Sequence, residues 1–293
     1  MHVLTAARQR YAEDLRRRVG MQSPLLVHAF ATVPREHYLG PGPWEIFDLS
    51  ATGSSFRPYR PTPDADPVHL YRDVLVGIDV TRGLNNGQPS AHAYWMDQLA
   101  LQGGEHVVHV GCGTGYYAAI LAEVVGAGGR VTAIEFDPQL AARARQNLAH
   151  LTHVEVVEGN GCEYDPGPVD AFYVNAGATH PLPLWLDRLR PGGRLMLPLV
   201  RWPAPRADTS TAGTGVLLKV TRHDPTFAAR IVSPVGIFPC IGAVDPNADR
   251  RLGEALAGGA GIDVVRSLRR DAHAAEPNCW LHGDGFCLSA LPV

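Results

Sequence analysis

The sequence predicts an α/β protein with a doubly wound, largely parallel sheet. Short apolar runs alternate with segments of helical composition along the middle of the 293-residue chain. The first of these runs ends in a glycine-rich turn, and the second closes on an acid, Glu135. Strands and helices that alternate at this spacing build parallel sheets through right-handed crossovers.

The predicted elements follow one another in a regular order. Strands are expected at residues 107–110, 130–135, 154–158 and 169–175, and residues 189–199 read as a helix end, a turn and a fifth strand. A helix is expected over residues 118–125. A second helix begins at Asp137, an N-cap followed by Pro138, and runs to about residue 150. Two later strands, at residues 215–221 and 229–235, are predicted to complete the sheet in antiparallel fashion.

The turn after the first strand is the main candidate binding feature. It comprises Gly111, Cys112, Gly113, Thr114 and Gly115. Glycines there let backbone N–H groups approach a ligand at the carboxyl end of the strand, where open α/β sheets bind cofactors. Tyr116 stands where a dinucleotide fingerprint needs its third glycine, and no lysine follows as in a triphosphate-binding loop.

These features predict a nucleoside cofactor without phosphates. A carboxylate about 20 residues beyond the glycines is placed to bind two ribose hydroxyls. S-adenosylmethionine fits, with its ribose on Glu135 and its amino-acid part over the glycines. The alternative is a glycine-rich strand–helix turn of another α/β fold.

Four short segments together resemble the protein-L-isoaspartate O-methyltransferase family. They are residues 33–36 (VPRE), residues 71–73 (YRD) followed by Gly77, residues 88–93 (QPSAHA) and residues 113–118 (GTGYYA). Their order and spacing extend the resemblance from about residue 5 to about residue 200. The resemblance implies a Rossmann-like class I methyltransferase sheet with an N-terminal helical cap and a small C-terminal α+β appendage.

The resemblance also implies an activity and a set of site residues. The activity is methyl transfer from S-adenosylmethionine to the free carboxylate of an isoaspartyl or D-aspartyl residue. Phe136 would pack on the adenine, and Asn160, followed by Gly161, would bind its exocyclic amine. The acceptor pocket would be bordered by Tyr71, Asp73, Gly87, Gln88 and Pro89. Positioning supplies most of the rate in such a reaction, so no dedicated catalytic base is assigned.

Two residues depart from the family pattern. Asn160 replaces the usual Asp, and its carbonyl can still accept from an adenine amine. Gly87 stands where the family has a serine that helps to place the isoaspartyl group. A lost hydrogen bond to a charged group is worth about 1.5–3 kcal/mol, or about ten- to a hundred-fold in rate.

Histidines and cysteines offer further candidates. His92 and His180 lie near the predicted pocket by connectivity, with a packing or loop role as the alternative, and His109 is predicted to pack within its strand. Cys279, His282 and Cys287 could give partial metal ligation, with Cys240 or His273 as a fourth donor. Their spacing matches no standard zinc pattern, so we predict core packing and no metal site.

Composition excludes several classes of protein. The net charge is −3, with 45% hydrophobic and 19% charged residues, which is typical of a globular protein and gives no basic surplus for nucleic acid. No apolar run has the length of a membrane span, and no secretion signal is evident. Five scattered cysteines suit reduced thiols, so a cytoplasmic location is expected.

The chain is predicted to have three parts. Residues 1–72 form a helical cap and a long loop (residues 40–67) that could act as a substrate lid. Residues 73–235 form the methyltransferase domain, and residues 236–293 form the appendage, with a helix near 248–257, a strand near 264–269 and a β-hairpin around 279–288. The sequence does not fix the oligomeric state.

Three functions are carried forward. The first is methylation of a carboxylate in a protein or peptide. The second is methylation of a small molecule or a dedicated modified peptide, which Gly87, the long loop and the appendage favour. The third is binding of S-adenosylmethionine without turnover.

Overall fold

The computed structural model describes residues 2–47, 59–202, 212–258 and 262–293. These residues group into two compact units. The first unit comprises residues 1–104, 112–131 and 137–156, and the second comprises residues 105–111, 132–136 and 157–293. Among the described residues, no helix combines the length and apolar character needed to cross a membrane.

Among the described residues, five α-helices belong to the first unit. They are α1 (His2–Val19), α2 (Pro24–Thr32), α3 (Pro89–Leu99), α4 (Tyr116–Val125) and α5 (Pro138–Leu148). Ser23 caps α2 and Asp137 caps α5 through side-chain oxygens that accept backbone N–H groups, and each cap is followed by a proline. The two helices predicted before residue 40, and the cap predicted for α5, are confirmed.

A small antiparallel sheet also belongs to the first unit. Its strands are β1 (Glu45–Phe47), β2 (Arg60–Pro61), β3 (Leu75–Asp79) and β4 (Leu84–Asn85), in the order β2-β1-β3-β4. The described ends of the predicted lid loop therefore form β1 and β2, whereas residues 48–58 lie outside the described residues.

The large sheet has ten strands among the described residues. They are β5 (His106–Val110), β6 (Arg130–Glu135), β7 (Val154–Glu158), β8 (Val169–Val174), β9 (Leu189–Arg201), β10 (Gly213–His223), β11 (Thr226–Ile237), β12 (Ser267–Arg269), β13 (Cys279–Gly283) and β14 (Phe286–Ser289). Their order is β13-β14-β12-β11-β10-β9-β8-β5-β6-β7. The strand order reverses beside β5, because β6 lies on one side of it and β8 on the other. The doubly wound prediction is confirmed.

Strand directions follow the expected scheme. β5 pairs in parallel with β8 and β8 with β9, whereas β9, β10 and β11 pair antiparallel. The prediction of a helix end and turn within residues 189–199 is wrong, because α6 (Pro183–Asp187) ends earlier and β9 begins at Leu189. The proline and glycines at 191–193 instead lie in a bulge, where the register against β8 shifts between Val169 and Ala171.

The last 58 residues continue the large sheet. β12 pairs antiparallel with β11, and β14 lies between β12 and β13. The helix predicted here is α7 (Pro246–Ala257), capped by Asp245. The strand predicted over residues 264–269 is shorter than expected, because residues 262–264 form a 3-10 turn. The predicted boundary at residue 235 therefore falls within one continuous sheet.

A buried arginine organises the first unit. Arg35 is fully buried, and its guanidinium donates hydrogen bonds to the carbonyl oxygens of Leu70 (2.7 Å), Arg72 (3.2 Å) and Val74 (2.9 Å). Buried carbonyls need such donors, since an unsatisfied one destabilises the fold. Arg35 thereby fixes the backbone of the segment that carries Tyr71 and Asp73.

We expect Arg35→Met to lower the free energy of unfolding by at least about 2 kcal/mol, because it leaves buried carbonyl groups without donors. The matched control is Arg10→Met, a change of an exposed arginine on α1, which should stay within about 0.5 kcal/mol of the parent. Chemical denaturation followed by circular dichroism measures both. Equal losses in the two variants would contradict the role given to Arg35.

A buried histidine makes the second unit sensitive to acid. His109 on β5 is fully buried, and neither ring nitrogen has a hydrogen-bond partner among the described residues. Burial lowers its pKa from 6.5 to about 3. Because the unfolded histidine takes up a proton below about pH 6.5 and the folded one does not, protonation favours unfolding as the pH falls from 6.5 towards 3.

We therefore expect His109→Leu to flatten the acid side of the stability profile. The parent should lose up to about 1.4 kcal/mol per pH unit more than the variant between pH 6 and 4. Thermal unfolding at a series of pH values measures the difference. The carboxylates are the same in both proteins, so their contribution to the pH dependence cancels in the comparison. Parallel profiles would show that His109 does not stay neutral in the folded state.

Candidate functional site

Asp73 joins two of the segments predicted to border an acceptor pocket. Its Oδ2 accepts from Nε2 of Gln88 (3.2 Å), and its Oδ1 accepts from the backbone N–H of Ser90 (2.8 Å). The Arg18 guanidinium lies 3.7 Å from Oδ2. The carboxylate therefore orients the Gln88 amide at the start of α3, where Pro89 occupies the first helical turn.

Tyr71 is anchored beside this group. Its hydroxyl donates to the Glu36 carboxylate, which lies 3.7 Å from the Arg8 guanidinium. Burial, followed by the hydrogen bond to Glu36, raises the pKa of Tyr71, so the phenol keeps its proton at neutral pH. In the sequence, Arg35 and Glu36 stand out only as part of the segment VPRE at residues 33–36. Their structural task is to hold the Tyr71–Asp73 segment.

His92 occupies the space beside Gly87. Gly87 has a φ of 75°, and a Cβ atom placed on it would overlap Nε2 of His92. The His92 ring is almost completely buried and stacks on Tyr117, with ring centroids 3.6 Å apart and planes at 9°. The Tyr117 hydroxyl donates to the Gly87 carbonyl oxygen (3.3 Å). The imidazole therefore fills the place where a side chain at position 87 would begin.

The first unit also holds residues 112–115 of the glycine turn. Gly113 and Gly115 have φ values of 57° and 95°, which other residues rarely adopt. Gly115 is the N-cap of α4, and a Cβ atom on it would lie 2.8 Å from Cδ1 of Leu148. Asn147 on α5 donates to the carbonyl oxygen of Thr114 (2.9 Å). Cys112 and Thr114 are buried.

In the second unit, the carboxyl ends of β5 to β8 lie side by side. The N–H of Gly111 donates to Ile134 O (2.8 Å), and the N–H of Gly159 donates to Glu135 O (2.9 Å). The N–H of Asn175 donates to Val110 O (2.8 Å). Gly111 has a φ of 76° and passes so close to Asn175 that a Cβ atom would lie 3.1 Å from its carbonyl oxygen.

Two side chains at this edge have contrasting exposure. Glu135 at the end of β6 is 8% exposed, whereas Phe136, the next residue, is 50% exposed. A large exposed aromatic ring directly after a nearly buried carboxylate is suited to cover a flat apolar group whose polar neighbour binds the acid. The pair matches the roles that the resemblance implies for an adenine and a ribose.

Asn160 and Gly161 follow β7 at the same edge. Asn160 Oδ1 accepts from the backbone N–H of Cys162 (3.0 Å), and its Nδ2 donates to Glu163 (2.8 Å). A Cβ atom on Gly161 would lie 2.5 Å from Cγ1 of Val110, so a side chain there would collide with β5. Trp185, fully buried, donates from Nε1 to the Gly161 carbonyl oxygen (3.0 Å).

His180 lies beyond β8 in the second unit. Its Nδ1 is 3.0 Å from Thr179 Oγ1, which also accepts from the backbone N–H of Asp245 (3.0 Å). The His180 ring packs near-parallel to that of Phe286 on β14 (6.3 Å between centroids). Burial lowers the pKa of His180, and the Asp245 carboxylate opposes that shift. No local sequence pattern predicts the role of Phe286, which reaches His180 only through the fold.

The structure thus gathers the predicted residues into local groups. In the first unit, Asp73 and Gln88 share hydrogen bonds, and Gly87 lies against His92. In the second unit, Gly111, Glu135 and Gly161 lie at one sheet edge. The ligand-binding roles given to these residues remain predictions.

Comparison with known proteins identifies the family. A sequence model of the family "Protein-L-isoaspartate(D-aspartate) O-methyltransferase (PCMT)" matches residues 65–207. The chain is similar to protein-L-isoaspartate O-methyltransferase 1 of Rhodopseudomonas palustris, with 33% identity over 243 residues, 79% of this chain and 84% of that relative. It is also similar to protein-L-isoaspartate O-methyltransferase 2 of Archaeoglobus fulgidus, with 39% identity over 137 residues. That match covers 43% of this chain and 62% of the relative's length.

Solved structures share the fold. A protein-L-isoaspartate O-methyltransferase structure superposes with a TM-score of 0.61 at 22% identity, covering 85% of this chain and 69% of that one. A Plasmodium falciparum protein assigned to the same activity, solved with S-adenosyl-L-homocysteine, gives a TM-score of 0.57 at 18% identity, covering 80% and 97%. At these identities the likeness concerns the fold. The long match to the Rhodopseudomonas relative goes further: this chain belongs to the protein-L-isoaspartate(D-aspartate) O-methyltransferase family.

Proposed function

We propose that the chain is an S-adenosylmethionine-dependent O-methyltransferase that methylates the free carboxylate of isoaspartyl or D-aspartyl residues in a protein or peptide. The observation that carries the proposal is a match over 84% of a relative that bears this activity in its name. The glycine turn and Glu135 are both intact in this chain.

The residues at the sheet edge fit the cofactor. In the second unit, a Cβ atom on Gly111 would crowd Asn175 and one on Gly161 would overlap Val110, so glycine lets the strand ends pack closely at the edge where we propose that the cofactor binds. Glu135 would bind the ribose hydroxyls, Phe136 would cover the adenine, and Asn160 would accept from the adenine amine. In the first unit, residues 112–115 would face the methionine part.

The chemistry asks mainly for positioning. S-adenosylmethionine, when bound, supplies a methyl group on a sulfonium that is already electrophilic. An aspartate-type carboxylate is ionised at pH 7, so the protein needs no general base. In the proposal, Gln88, held by Asp73, orients the acceptor carboxylate. Tyr71, Gly87, Pro89 and His92 border the acceptor in the first unit, and His180 does so in the second.

A second acceptor class is favoured by one observation. The His92 ring fills the space next to Gly87, so the family's serine could not simply be restored there. An imidazole in place of a hydroxyl changes the shape and the hydrogen bonding of the acceptor side. This supports a small molecule or a dedicated modified peptide as the alternative acceptor.

The setting of the reaction is also part of the proposal. All five cysteines are free thiols, which suits a reducing compartment. We propose a cytoplasmic location, with no nucleic-acid or membrane partner.

Glu135→Gln should weaken binding of S-adenosylhomocysteine about ten- to a hundred-fold, because a charge-assisted hydrogen bond to the ribose becomes a neutral one. Glu155→Gln is the matched control, since Glu155 is an exposed carboxylate on β7 that pairs with Arg130. Isothermal titration calorimetry gives both dissociation constants. Unchanged binding in Glu135→Gln, or tight binding of a pyridine dinucleotide by the parent, would overturn the cofactor assignment.

Methyl transfer from labelled S-adenosylmethionine decides between the acceptors. The purified chain is incubated with an isoaspartyl peptide, its normal aspartyl counterpart and a cell extract. We expect the isoaspartyl peptide to be labelled and the aspartyl peptide to remain unlabelled. The label should be released at mildly alkaline pH, as a methyl ester is. Label only on other molecules of the extract would favour the second acceptor class. Cofactor binding with no transfer to any of them would indicate a binding protein without turnover.

A further inference from the structure

Four metal-ligating side chains converge at the outer edge of the large sheet. His273 precedes β13, Cys279 and His282 lie on β13, and Cys287 lies on β14. One ligand atom from each of the four lies within 4.8 Å of the others. The hairpin creates the arrangement, because His282 and Cys287 are direct partners across the two strands.

The separations fit a tetrahedral metal ion. Zinc binds sulfur at about 2.3 Å and imidazole nitrogen at about 2.0–2.1 Å, which places neighbouring S and N donors about 3.6 Å apart at the tetrahedral angle. The Sγ atom of Cys279 lies 3.6 Å from Nε2 of His273. Shifts of about an ångström in side-chain position would bring the remaining donors, all within 4.8 Å, to the same spacing.

The outer contacts of His273 resemble those of a metal ligand. Its Nδ1 lies 2.9 Å from the carbonyl oxygen of Asp271, so Nδ1 carries the proton and donates it there. This leaves Nε2, the atom nearest Cys279, with its lone pair towards the cluster. Ligating histidines are commonly oriented by such a bond from the other ring nitrogen. Asp271 is itself held by Arg269, at 2.7 Å.

Two further details point to a bound cation. Nδ1 of His282 is buried and has no hydrogen-bond partner in the part of the chain that the structure describes. Buried polar atoms nearly always have a partner, so an orphaned one at a cluster of donors indicates a missing ligand. The backbone N–H of Glu276 also points at Sγ of Cys279 (3.4 Å), a contact that stabilises a thiolate.

We propose that His273, Cys279, His282 and Cys287 bind one Zn²⁺ ion. Two thiolates and two neutral imidazoles balance its charge and complete four-coordinate geometry. A site with four protein ligands keeps no open position for substrate, so its role is structural rather than catalytic. The spacing of these residues in the sequence predicts core packing, whereas we propose metal binding because the fold brings one ligand atom of each residue within 4.8 Å of the others.

The ion would add to the contacts that hold the segment before β13, such as the ion pair of Arg270 with Asp187. Residues 270–278, between β12 and β13, contain no helix or strand. Zinc would tie this stretch through His273 to both strands of the hairpin. β14 carries Phe286, whose ring packs against His180. The metal thereby stabilises the element that positions His180, one of the residues proposed to border the acceptor.

Metal analysis tests the proposal. The chain is produced with zinc in the medium, purified under reducing conditions and analysed by mass spectrometry of the elements. We expect about one zinc per chain, and almost none in Cys279→Ser and Cys287→Ser, because each loses a thiolate ligand. Cys240→Ala and His223→Gln are the controls. Cys240 lies 3.6 Å from Cys162 Sγ instead of in the cluster, and His223 is exposed at the end of β10.

A second measurement keeps the test independent of variant folding. The intact parent, stripped by a chelator and kept reduced, is titrated with Co²⁺, which should give the absorption of a tetrahedral site with thiolate ligands. Zinc should then displace the cobalt, shield two thiols from a thiol reagent and raise the unfolding temperature.

Three results would overturn the proposal. They are absence of zinc and of cobalt uptake in the reduced parent, retention of zinc in both cysteine variants, and a Cys279–Cys287 disulfide in place of the metal. None of these measurements uses methyl transfer, so their outcome does not depend on whether the proposed function is correct.

Discussion

Hydrogen bonds between the ends of neighbouring strands are the constraint on which the second unit's candidate site depends. Gly111 bonds to Ile134, and Gly159 bonds to Glu135, so β5, β6 and β7 must end at the same level. Glu135 and Phe136, which are adjacent in the chain, then lie at the same edge as Asn160, which follows the next strand. Strand order adds the remaining condition, because the reversal beside β5 opens the sheet there to a ligand.

Much of this arrangement could be predicted because its signals are local. A glycine turn after an apolar run, an acid at the next strand end and an Asp-Pro cap each depend on a few adjacent residues. β1 and β2 could not be found in this way. They are two or three residues long, and they form through the pairing of β1 with β2 and with β3, both of which follow later in the chain. The bulge in β9 could not be predicted for a similar reason. Its proline and glycines are also typical of a turn, and only the pairing with β8 shows that they lie within a strand.

The roles of buried residues were harder to predict from the sequence than the positions of helices and strands. Nothing in the residues next to Arg35 indicates that it satisfies three carbonyls of a segment more than 30 residues away. The closeness of Gly87 and His92 was equally hidden. The family resemblance presents position 87 as a lost serine, whereas in the fold the His92 ring occupies the space beside it. The absence of a side chain at Gly87 is therefore linked to the presence of the His92 ring beside it.

Two histidines whose buried ring nitrogens have no partner among the described residues lead to opposite conclusions, and their surroundings explain why. His109 lies within β5 beside the ring of Tyr173, and it belongs to no group of three or more His, Cys, Asp or Glu donors among the described residues. Keeping it neutral is the simplest way to tolerate its burial. His282 has two thiols and a second imidazole within 4.8 Å. One metal ion bound by the four residues would give each of their ligand atoms a partner. A buried histidine nitrogen without a hydrogen-bond partner thus indicates a metal site only where other metal-ligating side chains lie close to it.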